Sequence, residues 1–402
     1  KVLDEKIFDS KSPKYFQAIL KDFQREGFKW MKTLHFFGNG GLLADDMGLG
    51  KTIQVIAFLS YLKEQNKLTP TIIILPKSLV DNWINEMTRF APILTNNLYV
   101  HMGSRRYKDH RIISKYDLVL TTYHTLTRDQ TILGLIDWEI VICDEAQAIK
   151  NPSTANSIVV KALKNNGRFA LTGTPVENSL SDLWSIVDFV QPGLLGSLKD
   201  FKGEYEKQLE NERNYMKVQQ AIEKKIGNIF LRRTKSSELK KELPQKIEVP
   251  LEVAMSKEQK NHYKQIIHQV HVKEMDPLQA IQRLKMLCSH PALLNESERE
   301  SSVPKLKKTI EILKDIKKKN EKVIIFTEYR SMQAILKKEI IKHFNIDAPI
   351  INGGTSSRQK IVDAFNQLQG FGVLILSPKT AGTGLTITGA NHVVHAAVVG
   401  PK

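Results

Sequence analysis

Asp45-Asp46-Met47-Gly48-Leu49-Gly50-Lys51-Thr52 is the stretch that sets the fold and the chemistry of this chain. Gly40 and Gly41 introduce the short apolar run Leu42-Leu43-Ala44 ahead of it, and a helix-forming stretch from Thr52 to Tyr61 follows. A strand that turns through glycines into a helix aims several backbone N–H groups, and the positive end of the helix dipole, at one point. That arrangement suits phosphate. Gly48 and Gly50 permit the tight curl, Lys51 is placed to reach the β- and γ-phosphates, and the Thr52 hydroxyl is placed to bind Mg²⁺. Asp46, Met47, Gly48, Leu49, Gly50, Lys51 and Thr52 are therefore read as the nucleotide-binding residues, with ATP and Mg²⁺ as the expected cofactors. One position departs from the strict pattern, which has glycine five residues before Gly50 where this chain has Asp45.

Outward from the loop, short β-rich apolar runs recur at Thr71-Leu75, Leu118-Thr122, Trp138-Cys143, Phe169-Thr172, Val323-Thr327 and Val373-Leu376. Runs this short and this apolar read as strands of a parallel sheet buried on both faces. Helical stretches such as Thr52-Tyr61 and Ser78-Phe90 alternate with them, so the fold class is α/β. The run Trp138-Cys143 ends in Asp144-Glu145-Ala146-Gln147. Carboxylates at the C-terminal end of a buried parallel strand face the usual ligand crevice. Asp144 is expected to organise the metal, and Glu145 to orient and deprotonate an attacking water; phosphoryl transfer needs little beyond such positioning and charge neutralisation. An acidic helix cap accounts for one acid. It does not account for a pair at the end of an apolar strand, downstream of a Gly-Lys-Thr loop.

The alternation stops between about Ser181 and Leu313, where the sequence is helical and strongly charged, and resumes from Val323. Two α/β lobes with a helical insertion and linker between them are expected, with a polar loop at 295–302. The chain has 402 residues, more than one hydrophobic core usually spans. Lys and Arg outnumber Asp and Glu by 59 to 43, and the resulting +16 suggests an anionic partner such as nucleic acid. Two cysteines, Cys143 and Cys288, are too few for a disulfide framework or a zinc site and read as reduced thiols. No apolar stretch approaches the roughly 18 residues of a membrane span, so no membrane partner is expected. The chain starts at Lys1 rather than Met, which reads as a segment of something longer.

Taken in order, these blocks resemble the Swi/Snf-type ATPases, the chromatin-remodelling branch of the superfamily-two helicases. Leu20-Lys21-Asp22-Phe23-Gln24 with Gly27 and Trp30 is similar to the adenine-recognising block, which implies that Gln24 reads the adenine edge. Aspartates before Met-Gly-Leu-Gly-Lys-Thr are typical of the family, which accommodates Asp45. Leu75-Pro76-Lys77-Ser78-Leu79 with Trp83, and Leu120-Thr121-Thr122-Tyr123, resemble the first two DNA-tracking blocks. Asp144-Gln147 resembles the catalytic block, here as a DEAQ variant, and Leu171-Thr172-Gly173-Thr174-Pro175 the coupling block. Leu231-Arg232-Arg233-Thr234-Lys235 and Cys288-Ser289-His290-Pro291 follow, then Val323-Tyr329, Asn352-Arg358 and Ser377-Thr386. The family's final block carries arginines that complete the ATP site from the second lobe; the residues after His395 do not match it. The compact insertion resembles that of bacterial or archaeal members.

The resemblance implies two RecA-like lobes. The first covers residues 1–190, the helical insertion and linker 191–302, and the second lobe 303–402 with its C-terminal part missing. It implies a DNA-dependent ATPase that translocates on double-stranded DNA without necessarily separating the strands. Lys77, Ser78, Thr121, Thr122, Thr172, Gly173, Thr174, Gly354, Thr355 and Thr383 are the implied DNA-binding or coupling residues, with Gly382 and Gly384 completing the nucleotide set. Lys, Ser, Thr and backbone N–H groups are the usual ligands of backbone phosphates. Arg105, Arg106, Lys108 and Arg111 are a further basic cluster that either flanks DNA or is merely solvated. Nuclease or targeting domains, in the same or a partner chain, are implied partners. The expected address is intracellular, the bacterial cytoplasm and its nucleoid rather than a eukaryotic nucleus. Two other readings stay open on sequence: a strand-separating DNA or RNA helicase, and a nucleic-acid-binding scaffold whose ATPase has decayed.

Overall fold

Seven strands, all paired in parallel, form the first sheet: β1 (Gly41–Leu43), β2 (Thr71–Leu75), β3 (Leu98–His101), β4 (Leu118–Thr122), β5 (Trp138–Cys143), β6 (Asn165–Leu171) and β7 (Phe230–Leu231). Their order is β3-β4-β2-β5-β6-β1-β7. This computed structural model describes residues 11–173, 180–206, 215–238, 247–294, 303–355, 357–381, 385 and 387–396. The expected loop at 295–302, Thr174 and the Gly382-Thr383-Gly384 turn lie outside the described residues.

The central strands form because their residues have no exposed face to satisfy. Every residue of β2 and of β4 is buried, as a parallel strand covered by helices on both sides requires. Ile72, Ile73 and Ile74 are fully buried, and each side chain contributes about 1.5–3 kcal/mol of transfer free energy. The helices that cover the sheet are α1 (Asp22–Phe36), α2 (Lys51–Glu64), α3 (Val80–Phe90), α4 (Tyr123–Arg128), α5 (Ala155–Ala162) and α6 (Leu180–Val190). α2 is buried almost throughout its second to fourth turns, from Gln54 to Leu62. The expected helix Ser78-Phe90 begins with a separate 3₁₀ turn, Lys77–Leu79, because Pro76 sets the extended backbone ahead of it. α7 (Tyr215–Ile226) then leads back to β7, so the last strand of this sheet arrives only after the helical excursion.

The chain divides into two compact units, residues 1–245 and 246–402. The second unit opens with α8 (Lys257–His271) and α9 (Pro277–Ser289), a pair packed around Ile266, Ala280 and Leu287. α10 (Pro304–Lys318), α11 (Arg330–Phe344) and α12 (Arg358–Gln367) surround a four-stranded parallel sheet. Its strands are β8 (Lys322–Phe326), β9 (Ile350–Ile351), β10 (Gly372–Leu376) and β11 (His392–His395), in the order β11-β8-β10-β9. Helices of 191–302 are thus divided between the two units. Cys143 is buried at the end of β5, Cys288 is half-buried, and both are free thiols. Among the described residues no helix is long and apolar enough to cross a membrane.

Candidate nucleotide site and polymer-facing blocks

Because every strand pair of the first sheet is parallel, the segments that leave β1, β2, β4, β5 and β6 emerge at one edge. Those segments are the nucleotide loop, Pro76-Lys77-Ser78, Tyr123, Asp144-Glu145 and Thr172-Gly173. The sequence separates them widely; the sheet order brings them together.

In the loop, Gly48 and Gly50 adopt φ of 87° and 80°, backbone that an L side chain resists. Gly50 caps α2 without a side-chain hydrogen bond, which leaves the first N–H groups of that helix to an outside acceptor. At Gly50 a Cβ would also sit 2.6 Å from the Gln24 amide nitrogen. That amide donates to the Leu49 carbonyl at 3.1 Å, and the Gln24 carbonyl oxygen accepts from the Lys21 N–H at 3.0 Å. Gln24 therefore ties the start of α1 to the loop. Lys51 donates to the Asp45 carbonyl at 2.7 Å. Burial lowers the Lys51 pKa, while the nearby carboxylates of Glu145, Asp144, Asp45 and Asp46 oppose that shift. Thr52 is half-buried beside it, Met47 is exposed, and Leu49 packs on Phe23.

Asp45 does not face phosphate. Its buried carboxylate takes a bidentate pair from Arg233, with Nε to Oδ1 at 2.9 Å and Nη2 to Oδ2 at 2.6 Å. The Arg233 N–H and the Gln54 amide complete its shell at 3.1 Å each. Asp46 joins the same seam: its N–H donates to the Arg233 carbonyl, and its carboxylate accepts from the Lys235 N–H at 3.0 Å. The Leu231-Lys235 block thus runs alongside the nucleotide loop, and Arg233 is its anchor.

Asp144 is buried, and burial, with Glu145 next to it, pushes its pKa up to about 6. Its Oδ1 accepts from the Glu145 N–H at 2.9 Å and its Oδ2 from the Trp83 indole N–H at 2.8 Å. Glu145 has φ 49°, a left-handed conformation that costs a non-glycine residue about 1–3 kcal/mol and recurs at functional sites. The Glu145 carboxylate accepts from the Gln147 amide at 2.7 Å, and the Gln147 carbonyl accepts from the Thr172 hydroxyl at 3.1 Å. Gly173 lies against the loop, where a Cβ would meet Met47 Cγ at 2.8 Å.

Of the expected polymer contacts, Lys77 and Ser78 are exposed on their 3₁₀ turn. Thr121 is buried and donates to the His101 carbonyl at 3.0 Å, while Thr122 caps α4 through Thr125. In the second unit Gly354 is exposed, and its N–H donates to Asn352 at 3.0 Å. The Thr355 hydroxyl accepts from the Asn352 N–H at 2.9 Å. The basic cluster is largely engaged within the protein: Arg106 and Lys108 both pair with the buried Asp129, and Arg111 with Asp109. Reading the sequence did not assign the roles of Arg233 and Trp83. Arg233 has no partner near it in the sequence, and Trp83 is fully buried on its helix, so neither position announces the bond it makes.

Two family models divide the chain between them: the SNF2-related domain matches residues 23–300 and the helicase conserved C-terminal domain residues 304–399. YwqA of Bacillus subtilis (strain 168), named as an ATP-dependent helicase/translocase, is 37% identical over 411 residues, covering 97% of this chain and 44% of that protein. The Zorya protein ZorD of Escherichia coli O139:H28 is 38% identical over 425 residues, covering 94% of this chain and 39% of ZorD. The chain spans less than half the length of either relative. Among solved structures, the SWI2/SNF2 ATPase core of Sulfolobus solfataricus in complex with dsDNA is 35% identical with a TM-score of 0.57, covering 97% of this chain and 84% of that one. With parallel-sheet units in both halves and a family match across most of its length, the chain belongs to the SNF2-related family and carries two RecA-like lobes.

Proposed function

We propose that this chain is a DNA-dependent ATPase motor that uses ATP hydrolysis to translocate along double-stranded DNA. The observation that carries the reading is the gathering of Lys51, Asp144 and Glu145 at one sheet edge, beside a helix N-terminus with no side-chain cap. Phosphate is the anion that such an edge fits best. The Lys51 ammonium would exchange the Asp45 carbonyl for the β- and γ-phosphates, and the free N–H groups of α2 would hold the same oxygens. Glu145, steadied by Gln147, would orient the attacking water and accept its proton. Thr172 bonds Gln147, which holds Glu145, and Gly173 lies against Met47 of the loop, so the two are suited to report nucleotide state. Gln24 stands at the loop where an adenine edge would arrive.

The site fits Mg²⁺. Among the described residues no group of three His, Cys, Asp or Glu side chains could hold a metal. A divalent ion here would take Thr52 and Asp144 as hard oxygen donors and complete its shell with phosphate oxygens and water, as Mg²⁺ does. A buried carboxylate with a raised pKa gains from a cation beside it. When bound, Mg²⁺ neutralises charge that develops on the phosphates.

Duplex DNA is the proposed track because the solved Sulfolobus relative holds dsDNA. Exposed Lys77, Ser78 and Gly354 have the chemistry for sequence-independent phosphate contacts, and the net charge of +16 supports the same partner. The bacterial cytoplasm, at the nucleoid, is the proposed address. The test is ATP turnover in the presence of duplex DNA, single strands or RNA. Duplex is expected to stimulate most, and Lys51→Ala to lower the stimulated rate by on the order of 10²–10³. Greatest stimulation by single strands or RNA would replace translocation with strand separation. Turnover no faster than that of Lys51→Ala would leave a scaffold.

A further inference from the structure

Asp144 is held by two aromatic residues that lie outside the nucleotide loop. The Trp83 indole donates to its carboxylate at 2.8 Å, and the Tyr123 hydroxyl donates to its main-chain carbonyl at 2.8 Å. Trp83 is fully buried and Tyr123 nearly so. A buried indole N–H needs an acceptor, and a main-chain carbonyl usually serves. The other three tryptophans obey that rule: Trp30 donates to the Asn228 carbonyl, Trp138 to Leu133 and Trp184 to Gly196. Trp83 alone of the four ends on a side chain, and that side chain is the catalytic aspartate.

The positions of the two donors in the chain give the arrangement meaning. Trp83 lies on α3, the helix that continues from the turn exposing Lys77 and Ser78, and the intervening Leu79 and Val80 are buried. Tyr123 is the first residue of α4 and directly follows Thr121-Thr122. Each of the two expected DNA-tracking blocks of this unit therefore runs into a buried aromatic residue whose polar atom reaches the same aspartate. Interiors are close-packed, so a shift of either block is carried to its partner rather than absorbed. A displacement of about 1 Å at a reacting group is enough to change rate by two orders of magnitude. Glu145 is steadied separately, through Gln147 and Thr172.

We propose that Trp83 and Tyr123 are positioning residues that transmit duplex binding at the exposed Lys77-Ser78 turn, and the shift it causes at the neighbouring buried Thr121-Thr122 strand end, to Asp144, coupling DNA occupancy to ATP hydrolysis. This rests on the DNA-dependent ATPase reading. It is tested with Trp83→Phe, which keeps a ring and removes the N–H, and Tyr123→Phe, which removes only a hydroxyl. Trp138→Phe serves as the control, since it removes an equally buried indole that bonds a carbonyl. Duplex affinity is measured with and without a non-hydrolysable ATP analogue plus Mg²⁺, and turnover with and without duplex.

In the wild type each ligand alters the affinity for the other by one common factor. In the Trp83 and Tyr123 variants that factor is expected to fall toward one. Duplex-stimulated kcat is expected to drop about tenfold while KM for ATP moves less than about twofold. Trp138→Phe is expected to keep the wild-type factor. Unchanged coupling and stimulated kcat in Tyr123→Phe would overturn the inference by themselves, even if Trp83→Phe failed to fold. A wild type indifferent to duplex would overturn the function reading and this inference with it. A responsive wild type with responsive variants would overturn the inference alone.

Discussion

Asp45 stands where a phosphate-binding glycine is expected, and its carboxylate is turned inward to Arg233 rather than toward the nucleotide. Burial makes this pair costly to break. Arg233→Ala leaves an uncompensated charge at a fully buried position, and a loss of about 3–5 kcal/mol is expected in urea unfolding. Adding Asp45→Ala to that variant should restore part of the loss, because the orphaned charge is gone; strict additivity of the two single changes would argue against the pairing. The mismatch at Asp45 was visible in the sequence, but its reason was not. The partner lies 188 residues away, and no local pattern connects the two. Trp83 presents the same limit. Burial at that position follows from its place in an amphipathic helix, whereas the atom its N–H meets depends on the packing of α3 against the end of β5. Lys51 was legible from the glycines that precede it, and Asp144 and Glu145 because they directly follow an apolar strand that announces itself.

At the scale of elements, β2, β4 and β5 could be read directly because apolar runs of five or six residues leave no other economical placement. The expected strands of the second lobe, Val323-Thr327 and Val373-Leu376, appear as β8 and β10, shifted by one residue at their ends. The short strands escaped notice. β7 and β9 have two residues each, and β3 is a half-buried edge strand, so none carries a periodic signal. The edge strand is instead secured by a polar knot. His101 at its end bonds Asp129 at 2.8 Å, and Arg106 and Lys108 bond the same carboxylate. Arg106 foremost holds the Asp129 carboxyl well below the usual range, with Lys108 and His101 adding to it and burial opposing. The folded state thus binds this proton more weakly than the unfolded chain does. Its contribution is complete above the unfolded carboxylate range and fades as pH falls below about 4. Asp129→Asn is expected to cost about 2 kcal/mol at pH 7, with the gap to wild type closing as urea titrations move below pH 4. A gap independent of pH would refute the ionic part of this account.

For the whole molecule the dominant quantity is charge. Arg106, Lys108 and Arg111 are paired internally, yet the net charge of +16 still suits the proposed polyanionic partner. Contacts to backbone phosphates release counterions, so duplex affinity should fall on the order of 10²-fold or more between 50 and 200 mM salt, with little dependence on base sequence. A flat salt response, or strong preference for one sequence, would point to base recognition instead. One feature of the first sheet also governs how the protein is made. β1 lies between β6 and β7, and the nucleotide loop that follows it is braced by Arg233 and Lys235. A ribosome delivers the loop well before the brace, which follows all the other strands of that sheet and the helices that lead to β7. Until that strand emerges, the nascent chain carries the candidate nucleotide loop without the arginine that fixes it. The loop takes its braced form only when the helical excursion has been translated and its final strand has docked.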